Sequence, residues 1–360
     1  MESFSSILQG EWRRFMNPNL RSTSIISGTY RRIPLAPHQL TTHITPVENL
    51  FVLAHLGIPR IDAANWRLEI CGAVRKARTI DFEELRGFQK LEIESFHQCA
   101  GDPTNPTHPK RRIANVRWGG VRLTELLEAA GVRDEATHVW SYGSDRGEFA
   151  GDQHEYYLKD MPIGCLKKRD VLVAYEVNGV PLPPEHGYPV RLVIPGYYGT
   201  NSVKWLYRVE LADRRAGGPF TTRFYNDPAN LPGEHNINAG RPVWAVPVES
   251  VIVSPAPDLL VRHGCDYQIS GWAWADSGVR CVELSDDGGR SWWDARLSLR
   301  TDTSWQSFSS PWTARIPSPA CNDISLLARA TSNDGIIQPL KGARNCVHSV
   351  AVKIVMPASP

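Results

Sequence analysis

The stretch that decides the reading is Leu91-Glu92-Ile93-Glu94-Ser95-Phe96-His97-Gln98-Cys99-Ala100-Gly101-Asp102. Its first half alternates apolar and polar residues at the two-residue period of a strand. A single cysteine ends the run, and small or turn-forming residues follow at once. That arrangement holds a sulfur at the lip of a sheet and leaves the next stretch of backbone open to a ligand. The ordinary alternative for one cysteine among seven is an inert, buried small hydrophobe. The company Cys99 keeps along the chain decides between the two.

The 360 residues suffice for two domains, and the 42% hydrophobic content is that of an ordinary globular protein. A formal net charge of +2 argues against a bulk nucleic-acid or membrane-surface binder, while leaving room for a local basic pocket. Twenty-seven prolines, 28 glycines and 12 tryptophans suit a chain rich in loops and strands rather than a helical bundle. The seven cysteines are odd in number and include no Cys-x-x-Cys pair and no haem-attachment motif. Reduced thiols are therefore expected, not a zinc site or a disulfide framework. Arg13-Arg14-Phe15-Met16 looks like a twin-arginine export signal, but Asn17-Pro18-Asn19 follows where an apolar run is required. The expectation is a cytoplasmic protein, with export left open for a chain whose leader has been removed.

Outward from Cys99, residues 1–46 read as a polar arm. Leu50-Phe51-Val52-Leu53-Ala54-His55 is a short strand that delivers His55 to its end, and Trp66 to Gly72 is another. Asp81 to Arg86 is a short helix with Asp81 and Glu84 as a capping box, and Leu123 to Ala130 is a second helix closed by Gly131. Val171 to Val177 is a nearly unbroken apolar run, hence a fully buried strand turned by Asn178-Gly179. Past a linker at 217–242, short strands recur at roughly ten-residue spacing with turn signals between them, as in a β-sandwich. The expected domains are 47–216 and 243–360.

Five motifs occur in order: Cys99-Ala100-Gly101; Trp118-Gly119-Gly120; Ala174-Tyr175-Glu176-Val177-Asn178-Gly179; His186-Gly187-Tyr188-Pro189-Val190-Arg191; and Ser202-Val203-Lys204-Trp205-Leu206. Together they resemble the sulfite oxidase family of molybdenum enzymes over about residues 47–211. The second half, with Gly271-Trp272-Ala273-Trp274 and the run Val282 to Trp292, resembles that family's dimerisation domain. The fold class implied is α+β, mostly β: a molybdopterin-binding domain followed by an immunoglobulin-like β-sandwich. The implied cofactor is molybdenum-molybdopterin, whose phosphate, dithiolene and pterin call for cations, backbone groups and a soft metal ligand. Carried over motif by motif, Cys99 is the metal ligand and a catalytic residue, and Tyr225 is the active-site tyrosine. His55, Asp145, His186, Arg191, Ser202, Val203 and Lys204 match cofactor-binding positions. Each also has an ordinary alternative: a solvated strand cation for Arg191 and Lys204, a turn residue for His186 and Asp145, an aromatic staple for Tyr225.

Two departures stand out. The family's first motif usually carries an arginine where Leu53 stands, and Asp102-Pro103-Thr104 replaces the usual Asn-Arg-Arg. Arg111, Arg112 and Trp118 are the remaining candidates for a substrate pocket. The resemblance implies oxygen-atom transfer on a small sulfur-containing or other oxyanion substrate, with an external electron acceptor such as a cytochrome and a homodimer formed through the sandwich, where Trp272, Trp274, Trp292 and Trp293 supply aromatic surface. Neither nucleic acid nor membrane is an expected partner. Alternatives are a sulfane dehydrogenase-like or nitrate-reducing enzyme, a sulfoxide reductase (disfavoured by the sandwich) and a non-catalytic β-sandwich cofactor-binding protein.

Overall fold

A computed structural model describes residues 24–32, 34–101, 112–227, 240–315, 323–341 and 344–356. Strands dominate, as the sequence led us to expect. One five-stranded sheet runs in the order Tyr157–Pro162, His138–Gly143, Leu206–Ala212, Arg67–Gly72, Arg78–Asp81. A second places Val180–Pro181, Leu172–Val177, Ile113–Arg122 and Leu91–Gln98 side by side, with Arg191–Val193 also paired to Leu172–Val177. In that second sheet the Cys99 strand is at the edge.

The core between these sheets holds Trp66, Leu68, Ile70, Val121, Val173, Leu192 and Leu206. The Leu123–Ala130 helix adds Leu123, Leu126, Leu127 and Ala130, whose three- and four-residue spacing puts them on one buried face. Gly131 closes this helix in the left-handed region, at φ +71°. The shorter helix, Phe82–Arg86, keeps only half of the expected capping box. Asp81 Oδ1 accepts from the Glu84 N–H (2.8 Å), but the Glu84 carboxylate accepts from Arg78 (2.6 Å) instead of returning to Asp81. An ion pair with Arg78 outcompetes the local bond.

The second half is an eight-stranded arrangement ordered Glu249–Ser254, Asp266–Trp274, Gln306–Thr313, Trp293–Leu297, Val279–Ser285, Asp323–Ser332, Ser349–Val355, Leu260–Arg262. Its core is Ile252, Ile269, Val282, Leu284, Phe308, Leu326 and Val352. Strand alternation packs these inward, and no helix occurs among its described residues.

Two expectations need correction. The N-terminal arm is more ordered than its composition suggests: Tyr30–Arg32 pairs with Val52–Ala54, and Ser24–Ile26 pairs with Ile58–Pro59. The tryptophans assigned to a dimer surface are mostly spent inside one chain. Trp274 is buried, Trp272 stacks on Trp305 at 4.7 Å and donates to the Leu40 carbonyl (2.6 Å), and Trp293 packs against the sandwich core. Exposed apolar side chains of the sandwich are instead Leu259, Leu260, Leu299, Met356 and the cluster Ile336, Ile337 and Leu340, the last three at 58%, 54% and 44% exposure. No helix among the described residues is long and apolar enough to cross a membrane.

Candidate active site

Cys99 leaves the end of its strand nearly buried. Its N–H donates to the Arg112 carbonyl (2.9 Å). Among the described residues, the Gly101 N–H at 3.4 Å and the Arg112 guanidinium at 3.6 Å face its sulfur. Positive charge and N–H groups around sulfur are the setting a metal-binding thiolate needs. Alternation along the strand puts His97 on the same side as Cys99, and Phe96 and Gln98 on the other.

A cleft opens beside the sulfur, and with the solvent at its mouth it encloses about 830 Å³. Cys99, His55, Tyr225, Asp145, His186, Arg191, Ser202, Val203, Lys204 and Trp118 all line it. The chain thus brings together residues spread from position 55 to position 225. Of the remaining candidates, Arg112 stands at the sulfur, and Arg111 lies outside the described residues.

One end of the cleft is cationic. Arg191, 3% exposed, donates to the carbonyls of His186 and Ser202 at 3.1 Å each, and its guanidinium lies 4.8 Å from the Trp118 ring centre. Lys204 Nζ donates to the carbonyls of Leu53 (3.1 Å) and Glu185 (3.0 Å). Among the described residues neither cation pairs with a carboxylate at contact distance; Asp145 acts on Lys204 only through space. Burial pushes Arg191 down to about 9, pushes Lys204 down too, and pushes the Asp145 carboxyl up. Burying cations without a contact ion pair is costly, so this end suits an anionic group. His186 Nε2, Trp118 Nε1 and His55 Nδ1 are also buried without a hydrogen-bond partner among the described residues. Two buried cations without a contact ion pair, three orphan nitrogens and one sulfur fit a group carrying a phosphate, a hydrogen-bonding heterocycle and a metal.

Close approach constrains the glycines here. A Cβ on Gly143 would meet Asp145 Oδ1 at 2.6 Å and the Lys204 carbonyl at 2.7 Å; one on Gly199 would meet His97 Nε2 at 2.8 Å.

Near the sulfur, His55 Nε2 and the Tyr225 hydroxyl are hydrogen-bonded. Burial first, then Lys204, Arg31 and Arg112, pushes His55 down to about 4, so its imidazole is neutral at pH 7. Burial, reinforced by Cys99, pushes the Tyr225 phenol up, so it keeps its proton. Tyr225 reaches this spot from a left-handed conformation, φ +60°, just past the Pro219–Thr222 helix. Buried Lys159 steadies the segment: its Nζ donates to the Phe220 carbonyl (2.9 Å) and lies 5.5 Å from the Tyr225 ring centre.

Three residues near the site escaped the sequence reading. His97 was legible from alternation, two residues before Cys99. Arg31 stands directly across from Leu53 in an antiparallel pair. Arg344 donates to the Ala100 carbonyl from 244 residues away and contacts Asp227. Only the fold brings the last two here.

Residues 55–220 match the oxidoreductase molybdopterin binding domain, and residues 241–353 match the Mo-co oxidoreductase dimerisation domain. The chain belongs to the sulfite oxidase family. Relatives include sulfite oxidase of Gallus gallus, 30% identical over 317 residues (82% of this chain, 68% of that protein). Mitochondrial sulfite oxidase of Drosophila melanogaster is 29% identical over 344 residues, covering 86% of this chain and 59% of its own length. The chain thus spans about 59–68% of these sulfite oxidases. A crystal structure of the sulfane dehydrogenase SoxCD of Paracoccus pantotrophus superimposes with a TM-score of 0.76 at 28% identity, covering 92% of this chain and 86% of that one. Membership of the sulfite oxidase family implies the molybdenum-molybdopterin cofactor, and the cleft's donors fit it.

Proposed function

We propose that this protein is an oxygen-atom-transfer oxidoreductase acting on a small sulfur-containing or other oxyanion substrate. The observation that carries the proposal is the convergence of Cys99 with two buried cations, neither in a contact ion pair among the described residues, in one cleft. When bound, the molybdenum centre supplies oxygen-atom transfer and takes up two electrons. Cys99 is its soft protein ligand. Arg191, Lys204, His186 and Ser202 hold the cofactor's anionic and polar end as charge-assisted or neutral donors and acceptors. The neutral His55–Tyr225 pair keeps one proton at the Tyr225 oxygen, beside the sulfur-lined end of the cleft. In the tautomer in which His55 Nε2–H donates to the Tyr225 oxygen, the phenol proton is an uncharged donor where an oxyanion would arrive. Electrons pass to an external acceptor such as a cytochrome.

A sulfane dehydrogenase-like activity is the second reading. Leu53 favours it: an apolar side chain lines the cleft where a cation would have favoured a compact dianion. The test is molybdenum and pterin analysis with a screen of oxyanions and reduced sulfur compounds against a dye acceptor. About one molybdenum per chain and turnover on such a compound is the expected result. Protein made with the cofactor available and yet free of molybdenum overturns the proposal.

The sandwich is proposed to form a homodimer through the Ile336–Leu340 face. Replacing Ile336 and Ile337 together with aspartate should weaken dimerisation at least about tenfold, read by light scattering at micromolar concentration. An unchanged dimer would place the interface elsewhere.

A further inference from the structure

The strand that ends at Cys99 is an edge strand, and its open edge is covered by the sandwich domain. The Phe96 N–H donates to the Thr303 carbonyl (3.1 Å), and the Thr303 N–H donates to the Glu94 carbonyl (3.0 Å). The Asp302 carboxylate accepts from the Glu94 N–H at 3.0 Å. These bonds extend the sheet with a loop from the other domain. The grip tightens toward the cysteine. Gln98, fully buried, has both ends of its amide engaged: Nε2 donates to Glu249 Oε1 (2.8 Å), and Oε1 accepts from Trp274 Nε1 (2.9 Å). Glu249 and Trp274 are direct partners across two sandwich strands, so one rigid pair holds both bonds.

An amide bonded at its donor and its acceptor has one orientation, and flipping it would leave two buried groups wrongly paired. The backbone of Gln98 is thereby fixed, and Cys99 is the next residue. We infer that the sandwich domain sets the position of the Cys99 sulfur through Gln98. Gln98 faces away from the cleft, so it is a positioning residue. The metal site is incomplete without the second domain, whose role then reaches beyond dimerisation. The inference rests on Cys99 being the metal ligand.

The test uses full-length holoenzyme and reads two quantities other than turnover: the thiolate-to-metal absorption band of the oxidised form and the rate of cofactor release. Trp274→Phe and Glu249→Leu each remove one partner of the Gln98 amide. Both should displace the band and release cofactor about five- to tenfold faster, the scale of one lost buried hydrogen bond. Glu249→Gln keeps an oxygen that accepts from Gln98 Nε2 and should match the unmodified protein. Asp302→Ala, at an exposed position, folds whatever the fate of the buried variants and should give a smaller effect in the same direction. If Trp274→Phe, Glu249→Leu and Asp302→Ala all keep the band and release rate while Cys99→Ser loses the band, the clamp is wrong and the ligand assignment stands. If Cys99→Ser keeps the band, the ligand assignment itself fails.

Discussion

Cys99→Ser should abolish turnover while leaving the fold intact. The exchange replaces a soft, polarisable sulfur with a hard hydroxyl that stays protonated near neutral pH, so the metal would lose the soft ligand proposed for it. A loss on the order of a thousandfold, about 4 kcal/mol of transition-state stabilisation, is expected. Stability should barely move. Cys99 sits at the end of a strand held by backbone bonds to Arg112 and by the Gln98 amide, and none of these involves sulfur. Serine is nearly the same size and can still accept from the Gly101 N–H. A melting-temperature change within about 4 °C is the expected size for so small an exchange. Steady-state assay with a dye acceptor, molybdenum analysis and a thermal melt on one preparation decide the matter. Retention of most of the turnover with full molybdenum would show that another group ligates the metal.

How much of this was legible in the sequence depends on the range of the contact. The Cys99 strand, the Leu123–Ala130 helix and the buried Leu172–Val177 strand follow from local periodicity, because burial of one face dictates residue spacing. The cleft's composition was legible too, through motifs that keep His186, Arg191 and Lys204 close in sequence. What periodicity cannot supply is a partner. It puts Gln98 on the face opposite Cys99, but nothing local says that Glu249 and Trp274 will meet it there. Four tryptophans in one small domain read as surface for a second copy; Trp274 and Trp272 instead serve contacts within the chain. Arg344 could not have been found, since its contact with Ala100 is made only when two domains dock.

Leu53→Arg should lower the Michaelis constant for sulfite. Leu53, on the Val52–Ala54 strand, and His55, just past its end, both line the cleft. An arginine at 53 could add a charge-assisted hydrogen bond to an oxyanion, worth about 1.5–3 kcal/mol. Leucine offers none, and it presents an apolar wall against which a dianion must shed water. Two opposing facts set the size of the effect. Arg31 is Leu53's direct partner across the strand pair, so a new arginine would face a like charge. That repulsion, between groups of which Arg31 is exposed, is at most about 1 kcal/mol. With the full repulsion the net gain is about 0.5–2 kcal/mol, roughly two- to thirtyfold in affinity. The main-chain bond from Lys204 to the Leu53 carbonyl does not depend on the side chain, so the cationic end of the cleft should survive the change. Adding Arg31→Ser removes the repulsion and should lower the constant further. For the unmodified protein the same argument predicts weak use of sulfite and a preference for a less charged or partly organic substrate. Tight, fast sulfite oxidation without any substitution would show that Arg31 or Arg112 already supplies the cation, and Leu53→Arg would then bring no gain.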